Sequence, residues 1–367
     1  MQKIISVLSE LIRLKTDEKN VSNKPILDFI KETAEKHQVL CQIVKNRRLP
    51  VASILIGINM DTFENETADI LLSGHLDTVP ATTADWETDP LTLTQKGDKL
   101  LGLGTADMKG FIAVCLAKIP EIKATKKKVI LAFSSDEETT SYTVRDILWY
   151  LKKQNTTFKY ALIGEPTSSS VCLSHSGYIG FTTKIKGIAG HSSDPSCGVN
   201  ALYVAARLVT FLEQMNRLYE NSATTLNVGI LSGGKGRNVI APNAFIDWEI
   251  RFKDTLKKEQ LLTEISAFHH ALEKEYQGAT VQMKEKESLP VFEQKRSLFT
   301  ALCQEVFESP VSTLSYTTEA GFFKETGAET VVLGFADETL AHKPNEHIFT
   351  SDAQLYAKKL ILLLEKI

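Results

Sequence analysis

Three short apolar runs in the first half of the chain each break off at an acidic or imidazole side chain, and this recurrence constrains the fold more than any other feature. Ile70-Leu71-Leu72-Ser73 leads into Gly74-His75-Leu76-Asp77, Val129 to Ser134 leads into Ser135-Asp136-Glu137-Glu138, and Tyr160 to Ile163 leads into Gly164-Glu165-Pro166. Runs that short and that apolar, bounded by turn residues, predict buried strands. Helical spacing alternates with them: Ile5, Leu8, Leu11 and Ile12 within residues 4–15, Ile26, Ile30 and Ala34 within 24–36, and Phe111, Ile112, Cys115, Leu116 and Ile119 before Pro120. Strands alternating with helices predict a doubly wound α/β domain with a largely parallel sheet, where ligands collect at the carboxyl ends of strands. His75, Asp107, Glu137, Glu138 and Glu165 then converge on one crevice.

Most of these residues also have a plainer explanation. In extended backbone, residues i and i+2 point to the same side, so the Asp77 carboxylate can meet the His75 imidazole and fix its tautomer for a metal; a solvated histidine beside a turn-forming aspartate fits equally well. Asp107, in Gly102-Leu103-Gly104-Thr105-Ala106-Asp107-Met108-Lys109-Gly110, stands where a loop becomes a helix, and capping alone explains an aspartate there. Asp136, Glu137 and Glu138 repel one another unless a cation or a proton relieves them, yet the predicted helix Tyr142 to Leu151 also favours negative charge at its start. His342, in Ala341-His342-Lys343-Pro344-Asn345-Glu346, reads by itself as a surface histidine.

From Ser176 the texture changes. A strand over 177–187 alternates apolar and polar residues, a helix follows over 200–215, then strands over 225–231 and 245–252, a helix over 257–276 and a strand over 279–284. This β-α-β-β-α-β order is ferredoxin-like. It predicts a smaller domain at 177–286 inserted in a larger one made of 1–176 and 287–367. The larger one resumes with a helix over 296–307, a strand over 330–334 and a helix from Asp352 to the end, and the irregular stretch Ala81 to Pro90 is expected to wall the His75 site.

At 367 residues, two domains are the natural expectation. The net charge of −3 leaves no basic surplus for nucleic acid or an anionic membrane, so a small polar substrate is expected. The five cysteines are scattered and never form a CxxC pair, which argues against a disulfide framework and a thiolate zinc site. No apolar run approaches a membrane span, and a cytoplasmic protein is expected. Imidazole plus carboxylate suits zinc, cobalt or manganese. Two divalent ions sharing one carboxylate account for the surplus of acids and form a clamp for a polarised water.

The ordered series GHLDTVP, GLGTADMKG, SSDEETTS, IGEPTS, GHSSDP, GGKGRNVIAPNAFIDWEIR and AHKPNE resembles, over nearly the whole chain, the dinuclear zinc metallopeptidase family that contains acetylornithine deacetylase, succinyl-diaminopimelate desuccinylase, aminoacylases and carboxypeptidases. The resemblance implies one Zn2+ on His75 and Glu165, a second on Glu138 and His342, with Asp107 bridging, Asp77 supporting His75, and Glu137 as general base and acid. It also implies a cis peptide after Asp107 and a small domain acting as lid and dimerisation unit. In a homodimer, His191 would reach the oxyanion from the partner subunit. Asn238, Arg251 and Thr318 match substrate-contacting positions, although polar residues that merely hold the fold explain them as well. The motifs GLGTADMKGF, DEETTS and GHSSDP look most like acetylornithine deacetylase, which implies hydrolysis of N-acetyl-L-ornithine to ornithine and acetate in arginine biosynthesis. The alternatives are the same chemistry on another N-acyl amino acid, such as N-succinyl-diaminopimelate, or on a short peptide, and a metal-free relative that binds without turnover. That last version predicts a missing ligand or base, and none is missing. Thr139-Thr140-Ser141 stands where many relatives have glycine, and 317–321 falls in a region that varies with specificity.

Overall fold

The strand that delivers His75, Thr67–His75, lies inside a sheet rather than at its margin. The computed structural model describes residues 1–16, 22–81 and 85–367. Among these, eight strands form the sheet in the order Leu40–Lys45, Ala52–Ile58, Val129–Ser134, Thr67–His75, Thr157–Pro166, Glu329–Gly334, Val171–Cys172 and Val311–Ser312. The four central neighbours run parallel, whereas Leu40–Lys45 and Ala52–Ile58 pair antiparallel at one side. Parallel pairing brings the carboxyl ends of the central strands to one edge. The register places His75 opposite Ser134 and Ser73 opposite Ile163. All six residues of Val129–Ser134 are buried, as expected of a parallel strand covered on both faces.

The helices Gln2–Arg13, Lys24–Lys36, Gly110–Ala117, Leu298–Phe307 and Thr350–Lys366 contribute to a single apolar core with this sheet. Tyr356 anchors part of it: its ring lies 5.2 Å from Phe307, 5.3 Å from Phe335 and 6.1 Å from Phe111, and its hydroxyl donates to the Leu333 carbonyl at 2.7 Å. A buried phenol is tolerated there because its polar end is paired. Gly164 has a local steric reason, since a Cβ would meet the Phe111 ring at 2.2 Å; glycine lets that ring cover the backbone just before Glu165.

The main helices fall close to their expected places. The edge strand Leu40–Lys45 was not expected, because only Val44 in it is fully buried and the alternation is weak. A small three-stranded sheet of Thr94–Lys96, Lys99–Leu101 and His347–Phe349 also escaped, each strand being too short to carry a period. It matters for the site, because His347 pairs with Leu101 and so fastens the loop after His342 to the segment before Asp107.

The chain divides into two compact units, Met1–Ser174 with Phe292–Ile367, and His175–Val291. In the second, the strands Gly177–Lys186, Thr225–Gly233, Asn243–Phe252 and Thr280–Leu289 and the helices Ala201–Tyr219 and Thr255–Glu275 follow the β-α-β-β-α-β order. All three strand pairings are antiparallel. Asn200 and Asp254 cap the two helices with their side chains. Trp248 stacks on Phe181 at 4.6 Å and donates its indole N–H to Thr183 at 3.0 Å, so the unit has its own packed and hydrogen-bonded core.

Candidate metal centre and active site

Asp107 decides the geometry of the strand-end cluster. It does not cap a helix: the following helix, Gly110–Ala117, begins after Lys109, and the Asp107 backbone is non-helical. Its two carboxylate oxygens instead face two different histidines. Oδ1 lies 2.9 Å from His75 Nε2 and Oδ2 lies 3.4 Å from His342 Nε2. His75 also lies 3.8 Å from Glu165 Oε1, and His342 lies 2.9 Å from Glu138 Oε1. Two groups of donors result, His75–Asp107–Glu165 and Asp107–Glu138–His342, each with its ligand atoms within 4.8 Å of one another and both containing Asp107. The Asp107–Met108 peptide is cis. His342, which alone reads as a surface residue, is half exposed but turned into this cluster.

The Asp77 carboxylate stands beside the His75 imidazole, but the closer contact runs through the Asp77 backbone. His75 ends its strand, so the i/i+2 rule no longer applies at 77, and His75 Nδ1 pairs with the Asp77 backbone carbonyl at 2.9 Å while the carboxylate stands 3.6 Å away. That carboxylate accepts instead from the backbone N–H groups of Glu137 and Glu138, at 3.2 and 3.0 Å. Asp77 thus fixes the tautomer of one imidazole through its carbonyl and the backbone of two acids through its side chain.

The acidic run 136–138 divides between the start of the following helix and the cluster. Asp136 takes the helix-start role, accepting from the N–H groups of Tyr142 at 2.7 Å and Thr143 at 2.8 Å. Glu137 and Glu138 are left for the cluster. Glu137 belongs to neither donor group.

The charges are mutually constrained. Burial opposes charging His75, but the hydrogen bond to Asp107 and the nearby carboxylates of Asp77 and Glu165 outweigh it and raise its pKa well above the ordinary value. Burial also disfavours the Asp107 anion, yet the two histidines hold it below the usual carboxylate range. Burial pushes Glu165 up to about 8, with Asp107, Glu138 and Asp77 adding repulsion against the pull of His75. Burial and the Glu165 charge raise Glu137 well above the carboxylate range, and Glu138 is raised too. Hydrogen bonds to Asp107 and Glu138 lift His342 to about 10. Two imidazoles do not neutralise this many carboxylates. The donor set, oxygen and nitrogen with one carboxylate facing both ways, fits a pair of divalent cations.

Three buried groups around the cluster were not singled out from sequence. Glu346 accepts N–H bonds from Gly104, Ala106 and Asp107. Lys109 is buried and donates to the carbonyls of Leu11 and Leu14, at 3.0 and 3.2 Å. Glu319 accepts from Ser134 Oγ at 3.0 Å, and burial raises its pKa well above normal although His75 acts in the other direction. Charged residues within GLGTADMKG, TTEAG and KPNE carried no spacing that separates a buried role from a solvated one.

The remaining expected residues are placed as follows. Thr318 is buried and accepts from the Ala320 N–H at 3.1 Å at the start of the helix Ala320–Glu325. His191 and Asn238 come together in the second unit: Gly190–His191 pairs with Val239–Ile240, and the Ser192 N–H donates to the Asn238 carbonyl at 3.2 Å. The exposed His191 ring contacts Ser193 Oγ at 2.7 Å. Arg251 lies on a different part of that unit, over the Tyr178 ring at 5.3 Å and paired with Glu249 at 2.9 Å. Of the stretch 81–90, residues 82–84 lie outside the described residues; Asp85 and Glu87 hydrogen-bond to Asn345 in the His342 loop.

Residues 71–366, which contain the whole cluster, match the sequence profile of Peptidase family M20/M25/M40. The chain belongs to this family. It is 31% identical over 299 residues to the acetylornithine deacetylase of Pasteurella multocida, covering 78% of this chain and 77% of that one. Its fold is similar to that of a tripeptidase from Staphylococcus aureus, with a TM-score of 0.80 at 17% identity, covering 100% of this chain and 98% of that one. It is also similar to a dinuclear metal binding peptidase of the M20 family from Bacillus subtilis, with a TM-score of 0.63 at 14% identity and full coverage of both chains. As an M20-family protein, the chain is a metal-dependent hydrolase, acting as a deacylase or peptidase on small molecules. Among the described residues, no helix is long and apolar enough to cross a membrane.

Proposed function

We propose that the protein is a dinuclear zinc amidohydrolase that removes the acetyl group from N-acetyl-L-ornithine, releasing ornithine and acetate. The observation that carries the metal chemistry is Asp107, whose two oxygens face one histidine each while Glu165 and Glu138 complete the two donor groups. The likeness to acetylornithine deacetylase supports the substrate. His75, Asp107 and Glu165 would hold one ion, and Asp107, Glu138 and His342 the other. When bound, such ions polarise an amide carbonyl and lower the pKa of water.

The chain's own groups do the rest. Glu137, free of either donor group, takes the proton of the attacking water and returns it to the leaving nitrogen. Asp77 holds the Glu137 and Glu138 backbones in place for this transfer. His191 supplies a donor to the developing oxyanion, and Asn238, Arg251 and Thr318 orient the substrate, Arg251 through a planar carboxylate contact. The active form is a homodimer built through the unit His175–Val291, with His191 coming from the partner. Ile230 and Leu231, about half exposed on the edge strand Thr225–Gly233, support such a contact. Five free cysteines support a reducing, cytoplasmic location.

The test is free-amine release from N-acetyl-L-ornithine by zinc-loaded protein, beside N-succinyl-diaminopimelate, a dipeptide and a chelator-treated control. Chelator-sensitive release with preference for N-acetyl-L-ornithine is expected. Preference for another amide moves the substrate assignment within the family, and chelator-insensitive release overturns the metal chemistry. A sedimentation measurement that finds only monomer at working concentration overturns the dimer and the shared His191.

A further inference from the structure

Glu346 is almost fully buried, at 1% exposure, and its carboxylate is spent entirely on the backbone that carries Asp107. Oε2 accepts from the Gly104 N–H at 2.9 Å, and Oε1 accepts from the N–H groups of Ala106 at 2.6 Å and of Asp107 itself at 3.0 Å. The Glu346 backbone carbonyl takes a fourth donor, the Gly102 N–H, at 3.1 Å. The segment so gripped is irregular. Gly104 is in the left-handed region at φ +81° and the Asp107 backbone is non-helical, so the N–H groups of residues 104, 106 and 107 turn to Glu346 rather than to a helix or strand partner. Buried backbone donors need an acceptor, and one side chain provides it for three.

Glu346 also stands four residues after His342, in the same loop. His342 meets the Asp107 side chain from one side while Glu346 holds the Asp107 amide from the other. The contacts close a ring: Asp107 carboxylate to His342, along the loop to Glu346, and back to the Asp107 N–H. We infer that Glu346 is a positioning residue for the metal pair, setting the place of the Asp107 carboxylate against both histidines before any ion binds. This rests on the two-metal reading given above. Because Asp107 belongs to both donor groups, loosening it weakens both sites together.

The test uses chelator-treated full-length protein titrated with Co2+ and Zn2+, reading stoichiometry, dissociation constants and the visible Co2+ absorption, alongside circular dichroism. Glu346→Gln keeps the shape but turns an amide N–H2 toward an N–H donor. Asn345→Gly is the control. The Asn345 side chain binds the backbone of residues 85 and 87 rather than the Asp107 segment, and glycine tolerates the left-handed φ of +62° found there. The expected result is that Glu346→Gln folds, loses about 10- to 100-fold in affinity at both positions and changes the Co2+ spectrum, while Asn345→Gly keeps wild-type affinities and spectrum. Unchanged affinity and spectrum in folded Glu346→Gln overturn the inference, and so does equal weakening by both variants, which makes loop integrity the cause. Should Glu346→Gln fail to fold, Glu346→Asp, which keeps the charge and shortens its reach, is held to the same outcomes. Wild-type protein that binds fewer than two ions sinks the two-metal reading itself, and the inference with it.

Discussion

Two buried histidines, one in each unit, have been pushed in opposite directions. His75 is 1% exposed and His269 is 6% exposed, so burial disfavours the charged ring in both. In the His75 strand end, Asp107, Asp77 and Glu165 outweigh that cost and raise the pKa well above normal. In the helix Thr255–Glu275, burial prevails over the partial help of Glu273, His270 adds repulsion, and the His269 pKa falls to about 4. The difference shows that burial sets no titration by itself. The proton affinity of a buried imidazole is raised where a parallel sheet gathers carboxylates at its strand ends, and lowered where a helix turns it into an apolar core.

If the first environment is catalytic, its greatest sensitivity lies in the proton carrier. Glu137→Ala is expected to lower turnover by about 10²- to 10⁴-fold or more while both ions remain bound, since Glu137 belongs to neither donor group. Metal analysis and kcat on the same preparation check this, and near-normal turnover would assign the proton transfer elsewhere.

Removing a donor should give the converse pattern. His342→Ala takes away the imidazole that faces Asp107 Oδ2 and Glu138 Oε1, so the metal stoichiometry is expected to fall from two toward one, and activity with it. An unchanged stoichiometry returns His342 to the surface. Asp77→Asn should be milder, because the amide keeps one acceptor for the Glu137 and Glu138 backbones and the His75 contact runs through the carbonyl. A kcat loss of about 10- to 100-fold is expected, with two ions retained. A larger loss accompanied by metal release would show that the carboxylate is also needed to hold the His75 ring in place as a ligand.

The contrast between the two units also explains what was legible in the sequence. The strand-end donors His75, Glu138 and Glu165 could be read because a parallel sheet forces strand ends to one edge, so apolar run and acid together specify a place. The β-α-β-β-α-β unit was readable from periodicity alone. Asp136 could not be told apart from Glu137, since capping and ligation both want an acid in that stretch, and only the N–H groups of Tyr142 and Thr143 separate them. Glu346 and Lys109 were hidden for a different reason. Each serves backbone left without a regular partner, an irregular segment for Glu346 and the last turn of the helix Gln2–Arg13 for Lys109, and no period in the sequence points to such a partner.

His269 provides the gentlest test, and it isolates the second environment. Its Nε2 has no hydrogen-bond partner among the described residues, so the neutral ring is held by packing alone. An unfolded chain takes up a proton on this side chain near pH 6.5, whereas the folded protein does so only near 4. Between those values the unfolded state holds more protons, and stability falls as the pH is lowered. At about 1.36 kcal/mol per unit, the loss amounts to a few kcal/mol at most once pH 4 is reached. His269→Leu, similar in volume and without a titrating group, should remove that slope while leaving the other carboxylates and histidines to titrate as before. Urea unfolding of wild type and variant from pH 7.5 to 4, compared as a difference curve, checks it: the two should run parallel above pH 7 and diverge below 6.5 in favour of the variant. Parallel curves throughout would mean that the ring charges in the folded state at little cost, and the opposition between His75 and His269 would then be one of degree.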